Sequence, residues 1–550
     1  QYQSYYLGPV VFSANTEDGS KSIIDGQQRI TSITLILIFL FHLQKNQDDS
    51  VQIKDLIFSE KYGKKSFNMM DPDREDCLQS LFDKGEYIIK EDDNETVINI
   101  ANRYEDIESS FPDHIRENSL LHFIDWFIEN VILVQITAYS DDNAYTIFET
   151  MNDRGLSLTS TEMLKGYVLS RIENRRQREE INSIWKRTAQ LLDETVGDKS
   201  GTHSFFQAWF RGQFSESMRP SAAGSVNMDF ERIGTRFHSW FKEKHETLFG
   251  IKSGQEFYEF FKQDFPFFAN RYIEFTKALK TPNPNLENVY HIGKWGIADS
   301  LQEPLLLSAL RITDTEEECR KKMNLVAHYI ETFTVRRALN FRKFGQSSIK
   351  HSMFNVIKSI RHNDLVTLYQ DLGREVLDMK ESWDGISQFR MHKMNRRFVK
   401  HLLCRISGHV DVLAGKDNNY SSFMNPKGKP FEIEHIWSDH FERHRDEFSE
   451  KDDFDFYRNK IGSLILLPNG TNQSFSDSPY AEKSAHYLKE NTYAQSLHPD
   501  CYIRNPNFTR RPELIQLKFE AHPEFKKADV NSRNDLVHRI CTQIWDWSPI

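Results

Sequence analysis

Phe431–Trp437, FEIEHIW, and Asn459–Lys483, NKIGSLILLPNGTNQSFSDSPYAEK, decide how this chain folds and what chemistry it carries. FEIEHIW predicts a short strand, and GSLILLP, after an acidic and aromatic segment, predicts a second. Asn- and Ser-rich turns and a helix start follow. Glu434 and His435 close the first strand. Adjacent strand residues point to opposite sides, so the two serve one site only if the strand ends or twists there. The break at Trp437-Ser438-Asp439 predicts such an end. A one-metal phosphodiesterase needs a base to activate water and oxygen ligands for a hard divalent cation. His435 suits the base, since imidazole titrates near neutrality. Glu434 and Asn472 are the expected Mg²⁺ or Mn²⁺ ligands, and Lys483 the expected phosphate contact. Taken singly, a Glu-His pair is usually an ordinary structural feature; the ordered set of strands and Asn-rich turn gives it meaning. A competing reading places Zn²⁺ on His435, His440 and His444, the last two at i, i+4.

Upstream, the polar stretch AGKDNNYSSFMNPKGKP, Ala414–Pro430, breaks the pattern and marks the best domain boundary. Residues 143–413 read as largely helical, with aromatic-rich helices such as SFFQAWFRGQF and FYEFFKQDFPFFANRYIEF taken as packing. Two stretches lack any acid. One holds Arg336, Arg337, Arg342, Lys343, Lys350, Lys358 and Arg361; the other holds Arg390, Lys393, Arg396, Arg397, Lys400 and Arg405. Arg390, Lys393, Arg397 and Lys400 are spaced to share one helix face, a stripe that neutralises DNA phosphates by releasing counterions. The plain alternative is a solvated helix surface.

Residues 1–142 read as mixed α/β. YYLGPVVFS and SIIDG predict strands, and FIENVILVQITAYS a further one. Asp25-Gly26-Gln27-Gln28-Arg29 lies between the SIIDG strand and the apolar run Ile30–Leu43. A helix start offers unpaired N–H groups and a positive dipole end to a phosphate. Gly26 permits close backbone approach, Arg29 supplies a forked donor, and Gln27 and Gln28 can read hydroxyls or a base edge. Asp25 holds a metal or caps the helix. The bland alternative is a polar cap with Arg29 in a structural ion pair. Asn152-Asp153-Arg154-Gly155 is, by itself, a helix-ending turn.

Composition bounds these readings. At 550 residues, with 39% hydrophobic and 27% charged side chains, the chain is an ordinary globular protein of several folding units. Ile30–Leu43 is too short and too interrupted for a membrane span, which takes about 20 apolar residues. Five scattered cysteines argue against a disulfide framework and for a reducing cytoplasm. The net charge of -10 excludes non-specific coating of nucleic acid but leaves room for a local basic groove. The first residue is Gln1 and a strand begins almost at once, so further residues are expected upstream.

The two constellations together resemble the GmrSD-type restriction endonucleases, prokaryotic DNA-defence proteins. YYLGPVVF, IIDGQQRITSITLIL and NAYTIFETMNDRGLSLTSTEMLKGYVL resemble their ParB/sulfiredoxin-like N-terminal domain. IEHIW, NKIGSLILLPNGTNQSFSDSPYAEK and SRNDLVHRICTQIWDW resemble their C-terminal HNH nuclease domain. The resemblance implies a mostly helical α+β chain. Its parts would be a ParB-like domain over 1–142, a helical middle over 143–413 and a ββα-metal (HNH) domain over 414–550. It implies double-stranded DNA, phage or modified, as substrate, and a nucleoside triphosphate (GTP, CTP or ATP) bound and hydrolysed by a pocket of Asp25, Gly26, Gln27, Gln28 and Arg29. His435 would be the general base with Glu434 and Asn472 near the metal. Relatives respond to modified bases or to a backbone phosphorothioate, and a homo-oligomer or other defence proteins are the expected partners. Two departures stand out. Ser463 replaces the asparagine of the family's Gly-Asn-Leu strand, with Asn459 or Asn469 left as a substitute, and the family's Tyr/Phe-Gln-Arg segment before YYLG is absent. Both favour the alternative reading, a nucleotide-binding DNA sensor with a decayed nuclease domain.

Overall fold

The computed structural model describes residues 4–14, 21–47, 49–61, 64–67, 72–90, 93, 95–138, 159–220, 224–424, 430–470, 477–503 and 505–547. The described chain is mostly helical with three small sheets. It forms two compact units, Gln1–Thr159 and Ser160–Ile550.

In the first unit, β1 (Tyr5–Ala14) is the central strand. It pairs antiparallel with β2 (Lys21–Asp25) and parallel with β5 (Val131–Ala138). β2 runs directly into α1 (Gln27–Leu43). Leu35, Leu37, Ile38, Phe39 and Leu40 are all buried in a cluster with Leu78, Leu81, Ile100, Tyr104 and Ile124. A helix apolar on most sides must be covered on most sides, and the helices Pro72–Lys84, Glu95–Ser110 and Leu120–Asn130 supply residues to that cover. A hairpin of β3 (Phe58–Lys61) and β4 (Lys64–Phe67), absent from the sequence reading, lies between α1 and these three helices in the chain. The strand expected from Phe127 begins only at Val131. Phe123, Ile124 and Phe127 recur at helical spacing and all contribute to the same core, so the preceding helix keeps Phe127. The expected boundary at 142/143, and the segment NAYTIFETMNDRG, lie outside the described residues.

The second unit begins with aromatic-rich helices. Gly201–Gln213 and Gly254–Lys280 bury Phe205, Phe206, Trp209, Phe210, Phe265 and Phe268, and Trp209 stacks on Phe268 at 5.3 Å between ring centres. These rings are packing, as expected from their helical spacing.

Between 413 and 414 the packing shows no break. One core runs from Tyr290, Val335 and Leu339 through α3 (Arg396–Leu413) to Leu464, Ile465, Leu466 and Trp545. A buried polar knot reinforces it. Glu331, on α2 (Glu316–Leu339), accepts from the Trp545 indole at 3.0 Å and pairs with Arg405 Nε at 2.9 Å and His401 Nε2 at 3.1 Å. The expected helical middle and C-terminal domain therefore share their interior. Within the polar stretch, Gly415–Asn418 are exposed, but Ala414, Tyr420 and Phe423 are buried in the same core, so the stretch marks no domain edge.

The C-terminal sheet is β6 (Phe431–His435) against β7 (Leu464–Pro468), antiparallel, with Glu434 opposite Ile465 and His435 opposite Leu464. α4 (Lys451–Arg458) lies between the strands in sequence, α5 (Tyr480–Tyr487) follows them, and α6 (Lys527–Ile544) closes the unit. α4 carries Asp452 and Asp453 in its first turn and Arg458 in its last, the charge order its dipole favours. No described helix is long and apolar enough to cross a membrane.

Candidate active site

β6 ends at His435, and the chain turns away through Ile436 and Trp437, both buried. The turn is pinned from a distance. The Trp437 indole donates to the Phe525 carbonyl at 2.8 Å, and the Ile436 N–H to the Ser463 carbonyl at 2.9 Å. Gly462 donates its N–H to Asn534 Oδ1 at 2.8 Å, and a Cβ there would come within 2.6 Å of the Val530 carbonyl. Only glycine lets this segment lie so close to α6.

The two residues of the Glu-His pair face different surroundings. Glu434 is buried and pairs with Lys483 Nζ, and the same ammonium donates to the His435 carbonyl at 2.9 Å. Burial pushes the Glu434 carboxyl up and the Lys483 ammonium down; their mutual attraction offsets this only in part. Lys483, at 1% exposure, is a strut that ties α5 to the end of β6. It has no route to a DNA phosphate, contrary to expectation. Glu434, closed off by that strut, is likewise not open as a metal ligand.

His435 looks the other way. Its Nε2 lies 3.1 Å from Asn459 Oδ1, just past the end of α4. The Asn459 amide can be assigned, because its Nδ2 donates to the Asp455 carbonyl at 2.8 Å. The oxygen therefore faces the imidazole, Nε2 carries the proton, and Nδ1 carries the lone pair. The main-chain carbonyl of Asn459 accepts from the Met391 N–H at 2.8 Å, which fixes the residue's backbone. Burial, then the positive charge of Arg458, pushes the imidazole down to about 4, so at pH 7 it is neutral, with its lone pair free to accept a proton but a weaker base than a free imidazole. Ser463 takes no part in this: its hydroxyl donates to the Tyr457 carbonyl at 2.8 Å. Asn459 does what the sequence left open between Asn459 and Asn469; the Asn469 N–H closes on the Pro430 carbonyl at 2.8 Å.

Asn472 lies outside the described residues. Among the described residues no group of three His, Cys, Asp or Glu side chains is placed to hold a metal ion. His440 and His444 do not converge with His435. His440 Nε2 faces Asp477 at 3.4 Å, while His444 stacks on Phe454 at 5.2 Å between rings, in a short 3₁₀ turn.

The expected basic stripe is rearranged. α3 begins only at Arg396, after a 3₁₀ turn over Lys393–Asn395, so the four cations do not share one helix face. Arg397 donates to the Lys294 carbonyl at 3.0 Å, and Lys400 is half-buried. Arg390 and Lys393 instead line an open cavity of about 770 Å³ with His392, Asp452, Phe456 and Asn459. That cavity reaches the amide that holds His435, and Arg396 contributes positive charge to the imidazole. The other acid-free stretch is largely consumed by structure. Arg336 donates to the Glu381 and Val376 carbonyls, Arg337 pairs with Glu381, Lys350 with Glu231, and Lys358 and Arg361 with Glu216.

In the first unit, Gly26 precedes α1 with φ 97°, and a Cβ there would sit 2.9 Å from a Val10 methyl. Glycine is required on both counts. Among the described residues no side chain caps the helix. Arg29 Nη1 donates to the Pro9 carbonyl at 2.6 Å and pairs with Asp25 at 3.3 Å, while Gln27 and Gln28 are exposed. Asp25 and Arg29 thus complete each other.

Comparison with known families gives two matches. The model of the GmrSD restriction endonuclease N-terminal domain matches residues 2–169, and that of the GmrSD restriction endonucleases' C-terminal domain matches residues 384–539. Among curated proteins, none matches the chain. The C-terminal match contains the whole His435 site, from Arg390 to α6.

Proposed function

The chain belongs to the GmrSD-type restriction endonuclease family, and on that footing we propose that its second unit is an HNH-type, metal-dependent nuclease that cuts double-stranded DNA with His435 as general base. The observation that carries the reading is the fixed tautomer. Asn459 takes the Nε2 proton, so Nδ1 is the atom that accepts a proton from water. Strand, turn, strand and helix follow the order of a ββα-metal site. Nδ1 takes one proton as the water oxygen attacks phosphorus; the P–O3′ bond breaks, the 3′ oxygen is protonated from solvent, and the products are a 5′-phosphate and a 3′-hydroxyl.

A divalent cation, Mg²⁺ or Mn²⁺, would supply charge stabilisation for the leaving oxygen when bound. The described donors alone make no cage for it, and Glu434 is taken. Such ions keep most of their waters and use one or two protein oxygens, and Asn472 is the donor assigned to it here. The open side of the site, with Arg390, Lys393 and Arg396, is where DNA phosphates would approach.

In the first unit, α1 begins with uncapped N–H groups beside Gly26, which supports a triphosphate there. Binding of that nucleotide would license the nuclease, in response to phage or modified DNA. The decayed-nuclease alternative loses its main support: the histidine contact that Ser463 cannot make is made by Asn459.

The test is plasmid DNA, unmodified and modified, with Mg²⁺ or Mn²⁺ and each triphosphate in turn. His435→Ala should reduce nicking by at least about 10³-fold without loss of melting temperature, the scale on which a general base and its reaction partners act. Nicking by that variant at the wild-type rate would refute the reading.

A further inference from the structure

Arg458 ends α4, immediately before the asparagine that holds His435. Its Nε donates to the Trp437 carbonyl at 3.2 Å, two residues beyond His435. The guanidinium is therefore pinned between the two backbone segments that place the imidazole and its amide partner. It is half-buried, and that is its one hydrogen bond among the described residues. Among the described residues neither terminal nitrogen has a hydrogen-bond partner. Three carboxylates attract it from further off, Asp439 first, then Glu434 and Asp455, but none of them forms an ion pair with it among the described residues, and Glu434 is already engaged by Lys483. A half-buried arginine that no described carboxylate reaches directly, fixed beside a neutral base, keeps donors available for an anion.

We infer that Arg458 is a catalytic residue of the same site, its two terminal guanidinium nitrogens gripping the non-bridging oxygens of the scissile phosphodiester while His435 Nδ1 deprotonates the attacking water. This rests on the nuclease reading above and names the residue that recognises the phosphate. Attack adds negative charge to those oxygens, and a planar fork with two parallel N–H donors matches them. Because the fork is held at Nε, its donors are oriented before the charge develops, which is where preorganised donors gain most. Its positive charge also disfavours protonation of His435, which keeps the base neutral.

The experiment uses the full chain, wild type, Arg458→Ala, Arg458→Lys and His435→Ala, in single-turnover cleavage of plasmid DNA with Mn²⁺ and the activating triphosphate. Arg458→Ala should lose about 10²–10³-fold in rate, as for removal of one preorganised anion-stabilising donor, with an unchanged melting temperature. Millimolar guanidinium should restore part of that rate in Arg458→Ala and nothing in His435→Ala. Arg458→Lys should remain impaired, since an ammonium cannot reproduce the fork. A wild-type rate in Arg458→Ala beside a dead His435→Ala overturns the arginine's role alone. So does a loss that guanidinium does not restore. A wild-type rate in His435→Ala overturns the nuclease reading and this role with it.

Discussion

The turn at Asp25–Arg29 and the turn at Glu434–His435 are built from the same ingredients, a strand end, a carboxylate and a basic group, yet they satisfy their charges in opposite ways. At the first, Arg29 closes on Asp25 within one helical turn and on the Pro9 carbonyl of the neighbouring strand, at half-exposed positions. The motif is self-sufficient. At the second, nothing local suffices: Glu434 recruits Lys483 and His435 recruits Asn459, both distant in sequence. A self-paired motif on a surface is electrostatically cheap and yields to a ligand easily. A motif completed by remote residues is stiff, and it leaves over a chosen group, here Nδ1 of His435.

The sharpest way to break that contrast is to remove the remote partner. Lys483→Met strands the Glu434 carboxylate at a buried position, which costs about 3–5 kcal/mol when one member of a buried ion pair is deleted. Urea denaturation should show the midpoint falling accordingly. Adding Glu434→Gln should recover most of the loss, because the stranded charge is gone. A single variant as stable as wild type would mean that the pair is not what anchors α5 to β6.

How legible this was differs between elements. FEIEHIW and GSLILLP announce their strands by β-branched and leucine runs, and the end of β6 at His435 follows from the turn residues behind it. The aromatic helices announce a core by spacing alone. The division at 413/414 is not a break in the packing: Tyr420 and Phe423 of the polar stretch join the core, and Glu331, Arg405 and Trp545 meet through tertiary packing that no local pattern encodes. Lys483 reads as a phosphate contact in sequence and is a buried strut in space. Arg458 was overlooked for a related reason. An arginine in the last turn of a short helix is what the helix dipole favours anyway, so its functional signal is hidden under a structural one.

Asn459 offers a finer probe, since its proposed role is to position the base. Asn459→Ala should reduce the turnover number by roughly 10- to 100-fold, the usual cost of losing a hydrogen bond that orients a histidine, with KM for DNA little changed. The pH profile separates this from simple loss of packing. In the wild type the acid limb should fall near pH 4, where the buried imidazole protonates. The side-chain oxygen of Asn459 favours the charged ring, so its removal moves that limb lower still. Asn459→Asp keeps an acceptor and adds a negative charge, so it should restore rate at high pH and move the limb up towards neutrality. Stability follows the same sign. The folded histidine binds its proton less readily than an unfolded one with pKa near 6.5, so the unfolded chain takes up more protons as pH falls from 6.5 towards 4, and folding weakens over that window. An acid limb that stays put in all three proteins would mean that His435 is not the group being titrated.

Removing Arg29 should have the smallest effect on the fold and the most selective effect on binding. An i, i+4 pair whose side chains are 36% and 34% exposed contributes at most about 1 kcal/mol, and the bond to the Pro9 carbonyl adds a similar amount. Arg29→Ala should therefore leave the chain folded, with a small drop in midpoint. If the uncapped start of α1 holds a triphosphate, the same substitution removes a forked donor from the phosphates, and calorimetric titration with GTP, CTP and ATP should show whichever of them binds the wild type bound at least tenfold more weakly. Asp25→Asn discriminates further. It frees Arg29 from its local partner, so a phosphate that competes with Asp25 for the guanidinium should bind the variant more tightly than the wild type. If no triphosphate binds the wild type, or if Arg29→Ala binds as well, the Asp25–Arg29 pair is a helix-start brace and nothing more, and the contrast with the His435 site becomes one between scaffold and chemistry.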